Sequence, residues 1–468
     1  MEAIAGPSIR VWELSHVLAR AGHQVTIGTP NKSPRTSSAL EIRSFGGGAM
    51  ADLVKAHDIT VGFGYLLREY PVIRKLAPYL VMDIYDPFVL EMLHQYEELV
   101  HDDQMLIHQR AVDVVLEQLQ LADFMICASD RQRDYWLGAL SVANRVNPYT
   151  SAADPTLRSL IDVVPFGLPA TPPVQTRSAI KGAVAGIGAD DVVVLWWGGI
   201  WNWFDPLTAI DAVARLTSEI PTLKLYMAGQ QHPNPKNPRM VMARRANERA
   251  AELGLLNRSV FFNRGWIPYE QRMDYLCDAD IGISLHREHS ETRVAFRTRF
   301  LDYFWANLPI VATVGDVLCD AAVAAGAGVA VPDGDVDAVA SALRELALKP
   351  ERRRRMSLQA RKLAGEYSWE QVAGPLLRFC ALPYRAADAG KDDVRFPRIK
   401  PANAIELVRS AYRREGVPGV ARRAGRVLAA RTHRLQAFGS RALETWRVDG
   451  WRGVAEKANK RLRRLTRT

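Results

Sequence analysis

Cysteine is scarce and scattered. The four cysteines, Cys127, Cys277, Cys319 and Cys380, include no Cys-x-x-Cys pair. That spacing argues against a disulfide framework and a zinc cage and fits reduced thiols. Long apolar runs are missing as well. The longest, Val192 to Trp201, covers about half of the ~20 residues that a membrane-spanning helix needs. The opening residues are polar and interrupted by Gly6-Pro7, so no cleavable secretory signal is expected there. What remains has the profile of a globular protein: 468 residues, 48% hydrophobic and 24% charged. A chain of that length predicts two or three domains.

Charge is unevenly distributed. The net charge is +10, yet residues 401–468 alone hold 17 Lys and Arg against 5 Asp and Glu. The preceding 400 residues are therefore close to neutral, and basicity is a property of the tail. Tyr412, Phe438, Trp446 and Trp451 are interspersed among its arginines. Basic helical stretches with tryptophan suit an anionic membrane surface. Clustered arginine also suits RNA, or a solvated extension, and no nucleic acid is expected.

Strand and helix patterns alternate along the body. Strands are predicted at 23–27, 58–63, 80–84, 124–128 and 161–164, with a long helix over 89–121. A second series follows at 191–196, 223–228, 260–263, 281–285 and 310–313. Such alternation predicts parallel sheets covered by helices on both faces. The Pro- and Gly-rich segment 165–173 separates the two series. The expected domains are 1–165, 166–383 and a basic helical tail, 384–468. In the first series a glycine turn, Gly6-Pro7-Ser8, comes almost at once, so the expectation is that either the strand that normally feeds such a turn is missing or the true start lies upstream.

Two doubly wound domains bind ligands in the cleft at the carboxyl ends of their strands. Candidate residues therefore follow strands. After 191–196 come Gly198 and Gly199, which let backbone approach a ligand, and Trp201 and Trp203. Asp205 and Pro206 suit the cap and first position of the next helix. After 281–285 come His286, a polar contact at the strand end, and then Arg297, Thr298 and Arg299. Thr298 is expected to cap a helix over 298–306, whose amides would join the two arginines in a diphosphate site. Asp302, one turn on, would accept hydrogen bonds from a ribose diol. His286, His289, Glu288 and Glu291 are too loosely spaced for a metal site, and no metal is expected. On the first-domain side, Gly6 and Arg10 open a helix, while Asp83 and Asp86 follow a strand.

Several of these segments resemble GT-B glycosyltransferases of the family 4 kind. GPSIRVWELSHVLARAGHQVTI is similar to the family's glycine turn, helix and Gly-His-x-Val strand. VVPFGLP resembles its hinge entry, WWGGIWNWFDPLTAIDAV its first C-terminal strand, loop and helix, and RTRFLDYFWANLPIVAT its Glu-x-Met-Ala-x-Gly-x-Pro-Val-Val block. The resemblance spans about 6–382, in a subgroup with a Trp-Asn-Trp loop and an Arg-Thr-Arg helix start. It places Asp302 where the family has its ribose-binding glutamate, and Val294 near the other glutamate of the pair. The family's Arg and Lys after the first C-terminal strand have no counterpart here.

The resemblance implies a retaining, metal-independent transfer of a sugar from a nucleotide-diphosphate sugar to a hydroxyl, with no cofactor. Arg297 and Arg299 would stabilise the departing diphosphate as the catalytic residues. Gly198, Gly199, Trp203, Trp266, His286, Thr298 and Asp302 would bind the donor, and Gly6, Arg10, Asp83 and Asp86 would face the acceptor. A glycan or lipid-linked acceptor is expected, as in cell-surface polysaccharide or glycolipid synthesis. The expected location is the cytoplasm, peripheral to the inner face of the plasma membrane. A sugar-nucleotide epimerase of the same fold and a catalytically inactive partner subunit are the alternatives.

Overall fold

Buried Val, Ile and Leu runs become strands covered on both faces, and helices fill the intervals. The computed structural model describes residues 6–229, 240–263 and 265–397. By contacts the chain divides into 1–100 with 107–399, described here, and 101–106 with 400–468. The basic tail lies outside the described residues.

In the first half, β1 (Thr26–Thr29) and β2 (Glu41–Ser44) form a parallel pair. A separate parallel sheet runs β3-β4-β5-β6, from Ile59–Phe63 (β3), Tyr79–Asp83 (β4), Phe124–Cys127 (β5) and Ile161–Val163 (β6). The stretch ahead of the Gly6–Arg20 helix, where a first strand would stand, lies outside the described residues, and the first-half strands that are described form two separate sheets. The single helix expected over 89–121 is two, Phe88–Gln95 and His101–Leu121.

The second half carries one parallel sheet of order β12-β11-β10-β7-β8-β9. Its strands are Val192–Gly199 (β7), Leu223–Gly229 (β8), Val260–Phe262 (β9), Ile281–Ser284 (β10), Ile310–Thr313 (β11) and Gly328–Val331 (β12). The two strands that the sequence did not announce, β2 and β12, are four residues each and mostly half-buried or exposed; β2 (Glu41–Ser44) has no apolar run, and β12 (Gly328–Val331) is a short edge strand. Asp205 caps the Pro206–Leu216 helix as expected, accepting from the Thr208 amide at 3.2 Å. Together the two doubly wound halves make a GT-B fold.

The chain crosses between the halves twice, and the crossings touch. Leu168 donates its amide to the Tyr367 carbonyl at 2.7 Å, and Trp369 donates to the Leu168 carbonyl at 3.1 Å. Gly167 is obligatory there, because a Cβ would stand 2.6 Å from the Trp369 ring. After the second crossing, Phe379 stacks on Phe124 of β5 with ring centroids 5.0 Å apart. Residues 384–397, grouped with the tail on composition, pack on the first half. Asp388 is buried there, accepting from Arg145 at 2.8 Å and from Asn147 at 2.9 Å.

Candidate active site

A cavity of about 1440 Å³ separates the carboxyl ends of the two sheets. Its second-half wall begins where β7 ends. The β7–β8 register shifts between Trp196 and Gly199. That irregularity, with Gly198 at a φ of +76°, turns Trp197 and the two glycines into the cleft.

The Arg299–Trp305 helix is fixed against this strand by Tyr303. The Tyr303 ring lies on Gly282 of β10, where a Cβ would come within 2.6 Å of it. Its hydroxyl lies 2.9 Å from the Leu195 and Ile283 carbonyls and accepts the Trp197 amide, also at 2.9 Å. The anchored helix carries three cleft residues, Arg299, Leu301 and Asp302. Asp302 accepts from the Trp197 indole at 2.9 Å, and Arg272 Nε stands 3.7 Å from its other oxygen. Burial raises the Asp302 carboxyl above its ordinary range, against the opposing pull of Arg272 and Trp197.

The two expected phosphate-binding arginines have different fates. Arg297 is neutralised, with Nη2 donating to Glu291 at 2.7 Å and Nη1 to Asp316 at 3.0 Å, all three side chains being buried. The expectation of a free pair is corrected on that ground: one member is committed to two carboxylates. Arg299 has no acidic partner among the described residues. Its guanidinium lies 4.1 Å from the Phe204 ring centroid and 4.9 Å from that of Trp196. Nη2 donates to the Gly199 carbonyl at 2.8 Å, and Nη1 is buried without a partner. Burial pulls its pKa down to about 10, which leaves it charged at neutral pH.

The expected cap at Thr298 does not form. Thr298 is in the right-handed helical region and its side chain makes no capping bond. The helix that follows has only seven residues. His286 does not reach the cleft. It is fully buried, its Nε2 3.3 Å from the Val314 carbonyl, and burial with Arg297 nearby holds its pKa down to about 2. Trp203 lines the cavity, stacked on Trp201 with centroids 5.5 Å apart, and Trp266 lines it from the loop after β9.

On the first-half wall Gly6 and Asp86 line the cavity. Arg10 and Asp83 do not face an acceptor. They form a buried pair, with Arg10 Nε 2.6 Å from Asp83, and the same guanidinium holds the Val164 and Pro165 carbonyls at 2.8 Å. The pair ties the end of β4 to the exit from β6. Glu91 of the Phe88–Gln95 helix lines the cavity beside Asp86, both side chains half-buried.

Sequence reasoning missed Trp197, Arg272 and Glu91. For Glu91 a signal existed, an acidic residue in the first turn of a helix that follows a strand. Nothing in the pattern marked Arg272, whose place depends on stacking against Tyr269 at 3.7 Å and Trp305 at 4.6 Å. Among the described residues no group of His, Cys, Asp and Glu is arranged to hold a metal ion, and no helix is long and apolar enough to cross a membrane.

Residues 191–349 match the family model described as Glycosyl transferases group 1. A comparison with curated proteins finds no match. Among solved structures, sucrose-phosphate synthase from Thermosynechococcus elongatus is similar with a TM-score of 0.58 and 18% identity, over 81% of this chain and 94% of that one. HepE from Anabaena in complex with UDP-glucose is similar with a TM-score of 0.59 and 13% identity, over 81% of this chain and 97% of that one. The E. coli trehalose-6-phosphate protein bound with UDP-2-fluoro glucose gives a TM-score of 0.59 and 13% identity, over 82% and 98%. At these identities the likeness shows the GT-B fold. The group 1 domain in the second half, set on that fold, marks the chain as a glycosyltransferase.

Proposed function

We propose that the protein moves a sugar from a nucleotide-diphosphate sugar to a hydroxyl acceptor, with retention at the anomeric carbon and without a bound metal. The observation that carries this reading is Arg299, a buried cation that lacks an acidic partner among the described residues and lies against the Gly199 backbone on the cleft wall. A buried guanidinium left unanswered is costly, and a diphosphate is the anion whose size and charge suit it. As the sugar–oxygen bond breaks, charge builds on the departing diphosphate, and Arg299 is placed to stabilise it. Asp302, oriented by the Trp197 indole, is the proposed holder of the ribose diol, and Trp266 of the base or sugar. UDP-sugars, bound by two of the structural relatives, are the first donors to test.

Calorimetry with a panel of UDP- and GDP-sugars tests the reading. At least one should bind the full chain and be consumed with release of free nucleoside diphosphate. Silence across the panel would favour an inactive partner subunit. A donor isomerised with no acceptor present would favour an epimerase.

The acceptor is proposed to be a glycan or lipid-linked saccharide of a cell-surface polysaccharide or glycolipid, met at the inner face of the plasma membrane. The charge of residues 401–468 supports that reading. Flotation with anionic liposomes should require those residues. Equal flotation without them would end the membrane assignment.

A further inference from the structure

Acids near the cleft meet arginines, and one of those meetings stays open. Asp83 and Arg10 close side-on, with Nε at 2.6 Å and Nη2 at 3.2 Å from the two carboxylate oxygens. Glu291 and Asp316 hold Arg297 at 2.7 and 3.0 Å. Asp302 and Arg272 stand 3.7 Å apart, from Arg272 Nε to Asp302 Oδ1, which is beyond hydrogen-bonding range. Both residues line the cavity.

Each member of the open pair is held from its other side. The Arg272 guanidinium lies 3.7 Å from the Tyr269 ring centroid and 4.6 Å from that of Trp305, and its Nη1 donates to the Tyr269 carbonyl at 3.0 Å. Those two rings are anchored in turn. The Tyr269 hydroxyl donates to Glu13 at 3.1 Å, and the Trp305 indole to the Thr171 carbonyl at 2.8 Å. Opposite them, the Trp197 indole holds Asp302 Oδ2 at 2.9 Å. Closing the gap would cost one of these contacts.

An unfilled donor and an unfilled acceptor are left side by side. Arg272 is 7% exposed, and its Nε is buried without a hydrogen-bond partner among the described residues. A charged donor left in that state is costly, so the gap favours a ligand that fills it. A phosphate or carbonyl oxygen would accept from Arg272 but only face Asp302 with further lone pairs. An ammonium would pair with Asp302 and repel Arg272. A hydroxyl satisfies both, because it accepts and donates at one atom.

We propose that Arg272 is a specificity-determining residue for the donor's ribose: one hydroxyl of the diol lies between Arg272 and Asp302, accepting from the guanidinium and donating to the carboxylate. The proposal rests on the sugar-transfer reading above and deepens it. The site then selects donors by that hydroxyl, and the selection depends on a residue of the 269–277 segment as well as on the helix that carries Asp302.

The test is a binding cycle by calorimetry on the full chain. It compares UDP with 2′-deoxyUDP and 3′-deoxyUDP, or the same GDP series where UDP does not bind. In wild type, the analogue that lacks the bridging hydroxyl should bind about tenfold more weakly or worse, because its loss leaves two charged groups unanswered. Arg272→Lys keeps a positive charge on a four-carbon stem but sets a methylene where Nε stands. It should weaken the parent nucleotide by about tenfold or more and leave that analogue within about threefold of its wild-type affinity, which also shows that the variant folds. Arg272→Met, which fills the space between the two rings, carries the same expectation. A wild type that binds the parent and both analogues within threefold of one another overturns the proposal without any variant. Either substitution, if it keeps the wild-type discrimination, overturns it too and leaves Arg272 a structural brace between Tyr269 and Trp305. A wild type that binds neither UDP nor GDP overturns the sugar-transfer reading itself.

Discussion

Arg299 donates from Nη2 to the carbonyl oxygen of Gly199 at 2.8 Å. One short bond thus joins the helix after β10 to the glycine turn after β7, two segments a hundred residues apart. It orients a guanidinium whose other terminal nitrogen, Nη1, has no partner among the described residues.

Replacing Arg299 by Ala should lower kcat/KM for the donor by about 10²–10³-fold, the usual cost of one transition-state charge donor. Lysine should recover little. Its point charge cannot pack against the Phe204 and Trp196 rings as a planar guanidinium does while also reaching Gly199. Steady-state release of nucleoside diphosphate reads both variants, and wild-type rates in Arg299→Ala would remove the phosphate assignment.

Arg297→Ala should behave differently. Its loss leaves Glu291 and Asp316 buried without their cation, so the expected effect is a loss of stability of about 3–5 kcal/mol. Urea unfolding would measure it. A variant as stable as wild type would show that the triad is not the structural unit its geometry indicates.

Gly282→Ala places a Cβ 2.6 Å from the Tyr303 ring, which must then move with the helix that carries Arg299 and Asp302. Overpacking of this kind costs about 1–3 kcal/mol. Here it should also raise the donor KM, because both cleft side chains shift. Tyr303→Phe should lose stability by about 1–3 kcal/mol, leaving the Trp197 amide without its acceptor. Thermal unfolding and donor titration separate the two effects.

His286 gives a pH signature. Its pKa falls to about 2 in the folded chain, through burial first and Arg297 second. The unfolded chain takes up a proton near pH 6.5 that the folded chain refuses. Stability from this residue is therefore complete above about 6.5 and declines by ~1.4 kcal/mol per pH unit below it. Wild type should lose that much more stability than His286→Gln between pH 6 and pH 4. Equal slopes in urea titrations would contradict the buried neutral ring.

The strands that read clearly were those with runs of buried Val, Ile and Leu, such as β7 and β10. A residue at the end of such a strand was legible as a cleft residue, and Gly198, Gly199 and Asp86 line the cavity for that reason. Charge was legible as composition but not as pairing. Arg297 and Arg299 are two positions apart and look alike in sequence. What separates them is Asp316, which reaches Arg297 from beyond β11. Arg10 and Asp83 looked like acceptor residues because each follows a turn or strand, yet they are 73 positions apart and find each other only in the fold. Thr298 had the residue type of a cap without the backbone conformation of one.

The order of elements and the doubly wound architecture lay in the sequence alone, because apolar periodicity and turn residues are local and repeat along the chain. So did the concentration of net positive charge in the last residues. Which arginine stands unanswered at the glycine turn, which acids Arg10 and Arg297 hold, and where residues 384–397 fold back were decided only by tertiary structure. Ion pairing and burial depend on distances between segments that no local pattern encodes, and a buried charge takes its chemistry from whatever the fold sets beside it.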